Sequence, residues 1–357
     1  MKVLIVGPYS SPIIQRLTMN LRNSEHDVLV ASYNAENIEG VINLGIVESM
    51  FDYFRFYKIN KIVRDFQPDI VHAHIVNHYG LMSMLQPKPL LVALWGSDIM
   101  VAPYSGRPLK RLFYRSLNKI VLKRATHCHT SGHHVAEEAD DQYKGTFKKT
   151  DVFYWGFPLL KPDDIELKVV EDRLEKEFGL IEEDLIVFPR GLASIYNPKI
   201  VSIIINKLIE KNHANKIVVL KGFATDIDEN YFKSLVNLNL ITYIDRLLTS
   251  DELYYIYSKT KIHFSIPVSD SLGGGVVEPA LLGSYPILSD LPSYREYAKN
   301  NESYILEDYE NSTLDVLCKK INDNEIGKSA NNTPNAYALS DIMHNLFSTY
   351  QRVKESV

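Results

Sequence analysis

Lys261-Ile-His-Phe-Ser-Ile266, followed shortly by Asp270-Ser-Leu-Gly-Gly-Gly-Val-Val-Glu278-Pro-Ala-Leu-Leu-Gly-Ser-Tyr-Pro-Ile-Leu-Ser-Asp290, holds four signals in order. A short apolar run reads as a buried strand. Three glycines then mark a tight turn. An apolar helical pattern opens at about Val276, and a second apolar run, Ser284–Leu288, reads as the next strand. Strand, glycine turn, helix and strand form a βαβ unit of a parallel sheet. Glycine lets a backbone approach a ligand closely, and the N–H groups of a starting helix face outward with the positive dipole end. The turn is therefore a candidate phosphate site. Asp270 and Glu278 frame it. A carboxylate beside an anion site is better suited to accept hydrogen bonds from sugar hydroxyls than to hold the anion.

The same alternation extends through the chain. In the first half, Lys2–Val6, Asp27–Ala31, Ile70–Ala73, Leu90–Leu94, His127–His129 and Asp151–Tyr154 read as strands. Pro12–Asn23, Asp52–Phe66 and Arg107–Arg124 read as helices between them. Pro158–Asp164, with two prolines and acids, reads as a linker. The pattern restarts with strands at Leu185–Pro189, Lys216–Leu220, Ile241–Ile244, Lys261–Ile266, Ser284–Leu288 and Tyr304–Leu306. Pro198–Lys211, Ser250–Ser258, Val276–Leu282 and Leu291–Asn300 are the helices expected there. Asp323–Pro334 reads as a polar loop, and a last amphipathic helix spans about Ala336–Val353. The fold class is α/β, two doubly wound parallel sheets in series, expected to face one another across a cleft. The domains are residues 1–160, 161–335 and a C-terminal helix, 336–357, free to pack back on the first domain.

The stretch Asp270–Asp290 resembles the acid–seven residues–acid signature of the family-four retaining glycosyltransferases, which have the GT-B fold of two Rossmann-like domains. Asp270 and Glu278 take the two acid positions, and Gly283 and Pro286 match a later Gly and Pro. Two features depart from the pattern: the first acid is Asp rather than Glu, and Ser271-Leu272-Gly273 replaces Gly-Phe-Gly. The resemblance implies that Glu278 binds the donor ribose and Asp270 the transferred sugar. It gives the amides of Gly273, Gly274, Gly275 and Val276 to the sugar and diphosphate. Arg190, in Phe188-Pro-Arg-Gly-Leu, stands where the family places a basic residue on the diphosphate. Its planar fork suits phosphate oxygens and the charge of a departing nucleotide. Lys199 and Lys221 are further candidates for that site.

In the first half, Val71-His72-Ala-His74 follows the pattern of a His-x-His stretch common in the family. Trp95-Gly-Ser-Asp98 stands where many members carry His-Gly. Asp98 is the nearest acid for an acceptor contact or a base, set against a plain turn-forming role. Gly7, Ser10, Ser11, His74 and Trp95 are candidates for the acceptor side. Trp155-Gly-Phe-Pro158 resembles the family's hinge. A structural or polar role for His72 and His74 is preferred to a metal site, since no third ligand follows at suitable spacing.

The function implied is transfer of a sugar from a nucleoside diphosphate sugar, with UDP the expected nucleotide, to a glycan or lipid-linked acceptor in bacterial surface polysaccharide synthesis. Retention of anomeric configuration is implied, and neither a cofactor nor a divalent metal is expected. A nucleotide-sugar epimerase of the same fold and a non-catalytic nucleotide-sugar-binding subunit stay open as alternatives. A nicotinamide oxidoreductase is disfavoured, because Gly7-Pro-Tyr-Ser-Ser lacks Gly-x-Gly-x-x-Gly. The chain has 357 residues, 45% hydrophobic and 23% charged, with a net charge of −5. That balance argues for an ordinary globular protein and against a surface built for nucleic acid. Two cysteines, Cys128 and Cys318, fit free buried thiols in a reducing compartment. With no apolar run long enough to span a bilayer, a cytoplasmic protein is expected. Arg107–Arg124, basic and amphipathic, is the candidate for peripheral contact with the inner face of the cell membrane.

Overall fold

A computed structural model describes residues 1–357 except 36–37, 147–148, 181–182, 223, 328–336 and 357. The chain divides into two compact units, Met1–Phe157 with Ala338–Val357, and Pro158–Tyr337.

The first unit contains β1 (Lys2–Val6), β2 (Asp27–Ser32), β3 (Val41–Asn43), β4 (Ile70–His74), β5 (Leu90–Leu94), β6 (His127–Thr130) and β7 (Thr150–Val152). All pair in parallel, in the order β3-β2-β1-β4-β5-β6-β7. β4 and β5 are buried along their whole length, as continuous apolar strands covered on both faces must be. Helices Pro12–Asn23, Phe56–Phe66, Pro108–Arg124 and His133–Gln142 cover the sheet, joined by the C-terminal helix Leu339–Glu355. That last helix docks through polar contacts as well as packing. Tyr350 Oη bonds His72 Nδ1 at 2.9 Å, and Thr349 donates to Asp151 at 2.6 Å.

The second unit contains β8 (Leu185–Phe188), β9 (Ile217–Leu220), β10 (Thr242–Ile244), β11 (Thr260–Ser265), β12 (Tyr285–Ser289) and β13 (Tyr304–Leu306). These strands are also all parallel, in the order β10-β9-β8-β11-β12-β13. Strand order reverses between β1 and β4 in the first sheet and between β8 and β11 in the second. A crevice opens at such a switch point, at the carboxyl ends of the strands.

Several elements differ from the sequence reading. The expected helix Asp52–Phe66 is broken at Arg55, because Asp52 turns back to accept the amides of Glu48 and Ser49, each at 2.9 Å, and closes a 3₁₀ turn over Met50–Phe54. The expected linker is irregular only as far as Asp163, whose carboxylate caps a helix, Asp164–Phe178. Helices His133–Gln142, Asp226–Leu235 and Asn311–Asn322, and the edge strand β3, are additional. The helix after the glycine turn starts two residues early, at Gly274. Of the expected loop Asp323–Pro334, residues 328–334 lie outside the described residues, as does Ala336.

Candidate functional site

Arg190 follows β8 and Asp270 follows β11, so the two residues stand on either side of the second sheet's switch point. Eighty positions apart in sequence, they form an ion pair, with Arg190 Nη2 donating to Asp270 Oδ1 at 2.6 Å. Both side chains are largely buried, 14% and 10% exposed. The other carboxylate oxygen, Oδ2, accepts the Gly273 N–H at 3.0 Å and the Tyr294 hydroxyl at 2.9 Å. Burial opposes the Arg190 charge, but Asp270 and the neighbouring Tyr294 and Tyr196 outweigh it, and the guanidinium pKa is raised. The Tyr196 ring lies 4.9 Å beneath the guanidinium carbon, a cation–π contact.

The three glycines have a steric reason. A Cβ on Gly275 would lie 2.5 Å from Arg190 Cδ, and one on Gly273 would overlap the guanidinium outright. A Cβ on Gly274 would lie 2.7 Å from Glu278 Oε1. The turn is thus bare so that Arg190 can lie across one part of it and Glu278 fold back on another. Of the four amides expected to face a ligand, two are engaged within the turn. Gly273 N–H goes to Asp270, and Val276 N–H goes to the Gly273 carbonyl at 3.0 Å. Gly274 and Gly275, the first two helical residues, have N–H groups with no intrahelical acceptor.

The two lysines differ. Lys221 follows β9, and its ammonium pairs with Glu229 at 2.5 Å, an acid shared with Lys233 at 2.6 Å. Its carbonyl would lie 2.8 Å from a Cβ on Gly191, whose φ of +78° also demands glycine. Lys199 is exposed at the start of helix Pro198–Glu210.

In the first unit, Gly7, Ser10 and Ser11 form the turn after β1, and His74 ends β4, again across the switch point. Gly7 is packed against the His74 ring, which a Cβ there would approach to 3.3 Å. Ser10 is exposed, and Ser11 is the N-cap residue of helix Pro12–Asn23. His74 Nδ1 accepts the Trp95 indole N–H at 3.3 Å, so its neutral ring carries the proton on Nε2. Its ring stands against those of Trp95, Trp155 and His72. His72 Nε2 and His129 Nε2 lie 2.8 Å apart. Burial holds His72 and His74 well below the usual imidazole range and His129 at about 3, so all three are neutral at pH 7.

Asp98 departs from its expected place as an acceptor contact or base. It is 2% exposed, and its carboxylate accepts the amides of Val76 at 2.8 Å and Trp95 at 3.1 Å. It thereby clamps two π-helical turns, Ile75–Gly80 after β4 and Ser97–Val101 after β5. Burial raises its pKa to about 6 against the pull of those amides. The turn-forming role is the one its geometry supports. Sequence reading missed Tyr294 and Tyr196, which carried no spacing signal, and Trp155 as a partner of His74.

Helix Pro108–Arg124 presents Leu109, Leu112 and Ile120 to solvent, 82%, 62% and 51% exposed, among Lys110, Arg111, Arg115, Lys119 and Lys123. Nearby Phe54 meets Phe113 and Phe51, the last 74% exposed. Among the described residues no helix is long and apolar enough to cross a membrane.

Two parallel Rossmann-like sheets, each with its candidate residues at the switch point, define a GT-B glycosyltransferase fold, and solved structures share it over the whole chain. Sucrose-phosphate synthase from Thermosynechococcus elongatus matches with a TM-score of 0.76 at 10% identity, covering 100% of both chains. Anabaena Alr3699/HepE in complex with UDP-glucose matches at 0.72 and 13% identity, covering 100% of this chain and 99% of that one. UDP-GlcNAc 2-epimerase from Neisseria meningitidis, bound to UDP-GlcNAc, matches at 0.66 and 16%, covering 99% and 100%. Residues 2–130 match the family model described as Glycosyl transferase 4-like. No curated protein matches the sequence.

Proposed function

We propose that the protein is a retaining glycosyltransferase. It moves a hexosyl or N-acetylhexosaminyl group from a UDP-sugar to a glycan or lipid-linked acceptor in bacterial surface polysaccharide synthesis. The observation that carries this reading is Arg190 lying across the Gly273–Gly275 turn, with Glu278 one helical turn on. A buried guanidinium beside the bare start of a helix is a preorganised site for a diphosphate and for the charge it gains on leaving. The Anabaena neighbour crystallised with UDP-glucose is consistent with this. Glu278 would accept the ribose hydroxyls, and the first unit would hold the acceptor near Gly7, Ser10, Ser11 and Trp95. Arg190 and the helix start supply the positive charge that a divalent ion would otherwise bring, so turnover is expected to survive chelation.

A second reading, an epimerase acting on the donor alone, is favoured by the fold match to UDP-GlcNAc 2-epimerase. Incubation with UDP-glucose and UDP-GlcNAc, with and without glycan or lipid-linked acceptors, separates the two. UDP release that requires acceptor supports transfer; an isomerised donor without acceptor supports the epimerase; binding with neither leaves the non-catalytic subunit. The basic helix Pro108–Arg124 is read as a peripheral contact with anionic lipid at the inner face of the cell membrane, its exposed leucines entering the interface.

A further inference from the structure

The Arg190–Asp270 pair is part of a longer chain of bonds. The Tyr294 hydroxyl donates to Asp270 Oδ2, so it accepts from Ser265 Oγ, 2.7 Å away. Ser293 Oγ donates to the Asp270 carbonyl at 2.9 Å and fixes the backbone as well. Tyr294 is fully buried, with 0% exposure. It can touch no substrate. Asp270 receives three donors, one on Oδ1 and two on Oδ2, and an ionised carboxylate offers about four acceptor positions. Little of its capacity is left for sugar hydroxyls.

Arg190, by contrast, has a long flexible stem laid over residues with no side chains. Its Nε is buried with no hydrogen-bond partner among the described residues. The contacts that fix the guanidinium plane are Asp270 on one edge and the Tyr196 ring below. A guanidinium that must meet a diphosphate gains from being held in advance, since the ordering cost is then met by folding and not by binding.

We propose that Asp270 and Tyr294 are positioning residues. Tyr294 and the Gly273 amide lock the Asp270 carboxylate, and Asp270 in turn holds Arg190 across the glycine turn for the donor diphosphate. This rests on the donor reading above, and it differs from the sugar contact that the sequence resemblance implies for Asp270.

The test uses the full chain, UDP and UDP-glucose as probes, and the variants Tyr294→Phe and Asp270→Asn. Tyr294→Phe removes one oxygen and keeps the ring, so it retains the packing if Asp270→Asn fails to fold. Dissociation constants are measured by calorimetry. Arg190 meets the diphosphate that both probes share. Both constants should therefore rise by the same factor in each variant, about three- to tenfold for one misplaced charge-assisted contact. Their ratio should stay at the wild-type value. If Asp270→Asn weakens UDP-glucose alone, or Tyr294→Phe leaves both probes unchanged, the proposal is overturned. A ligand-free readout keeps it separate from the donor reading. Labelling of Arg190 by phenylglyoxal, followed by peptide mass mapping, should rise several-fold in both variants as the guanidinium is released. Wild-type protein that binds neither probe while labelling rises removes the donor reading and leaves the positioning chain standing. Unchanged labelling removes the positioning chain itself.

Discussion

Replacing Gly275 with alanine adds one methyl group where Arg190 Cδ already lies 2.5 Å from the position of the new carbon, with Cγ at 3.4 Å and Nη1 at 3.5 Å. Carbon atoms rest at about 3.5–4.0 Å, so the arginine stem must retreat by roughly 1 Å. Backbone strain does not enter, because Gly275 is helical. A shift of that size at Cδ breaks the 2.6 Å bond from Nη2 to Asp270. Losing a hydrogen bond between charged groups costs about 1.5–3 kcal/mol. Alanine returns up to about 1 kcal/mol of helix propensity. With the full propensity gain subtracted, the net loss of stability is about 0.5–2 kcal/mol. Diphosphate affinity should suffer more visibly, by about 10- to 100-fold, since the displaced group is the one proposed to meet the ligand. The assays are urea unfolding for the first number and calorimetry with UDP for the second. A Gly275→Ala protein that binds UDP with wild-type affinity would refute the idea that the glycines are bare for the sake of Arg190.

Glu278→Ala should weaken UDP binding by about 10- to 100-fold through lost ribose contacts while the urea midpoint stays near wild type, both read in the same titrations. The buried histidines set a pH dependence. Burial holds the folded pKa of His129 at about 3, below the ordinary 6.5, so the unfolded chain binds the extra proton as pH falls. Stability is full above about pH 6.5 and declines toward pH 3, and His129→Gln should reduce that slope by roughly one proton in a pH series of unfolding curves. Leu109→Ser with Leu112→Ser should reduce sedimentation with anionic vesicles by about tenfold or more, and high salt should weaken the wild-type interaction.

Most of the architecture was legible because buried parallel strands are continuous apolar runs, and Lys2–Val6, Leu90–Leu94 and Tyr304–Leu306 fall where they read. β3 escaped because it is a three-residue edge strand with no buried residue. Helix Asp164–Phe178 carries a usable signal, a capping box of Asp163 and Glu166, of which Asp163 falls within the stretch that reads as linker, and Thr225 with Asp228 marks Asp226–Leu235 in the same way. The spacing of Asp270, the glycines and Glu278 gave the local site, since all lie on one turn and one helix. The link from Asp270 to Arg190, eighty residues away, has no local signature; it follows from β8 and β11 being neighbours at the switch point. Burial of Asp98 was hidden for a similar reason. An acid after a strand looks the same in sequence whether it faces solvent or collects amides from two adjacent turns.

The most direct measurement is a thermal-shift screen of nucleoside diphosphates without metal, on wild-type protein and Arg190→Ala side by side. A ligand at a hundred times its dissociation constant adds about 2.7 kcal/mol to the folded state. One nucleoside diphosphate, UDP on this account, should raise the wild-type melting temperature by several degrees, and the shift should be largely lost in Arg190→Ala. No shift with any nucleoside diphosphate, or a full shift retained without Arg190, would contradict it.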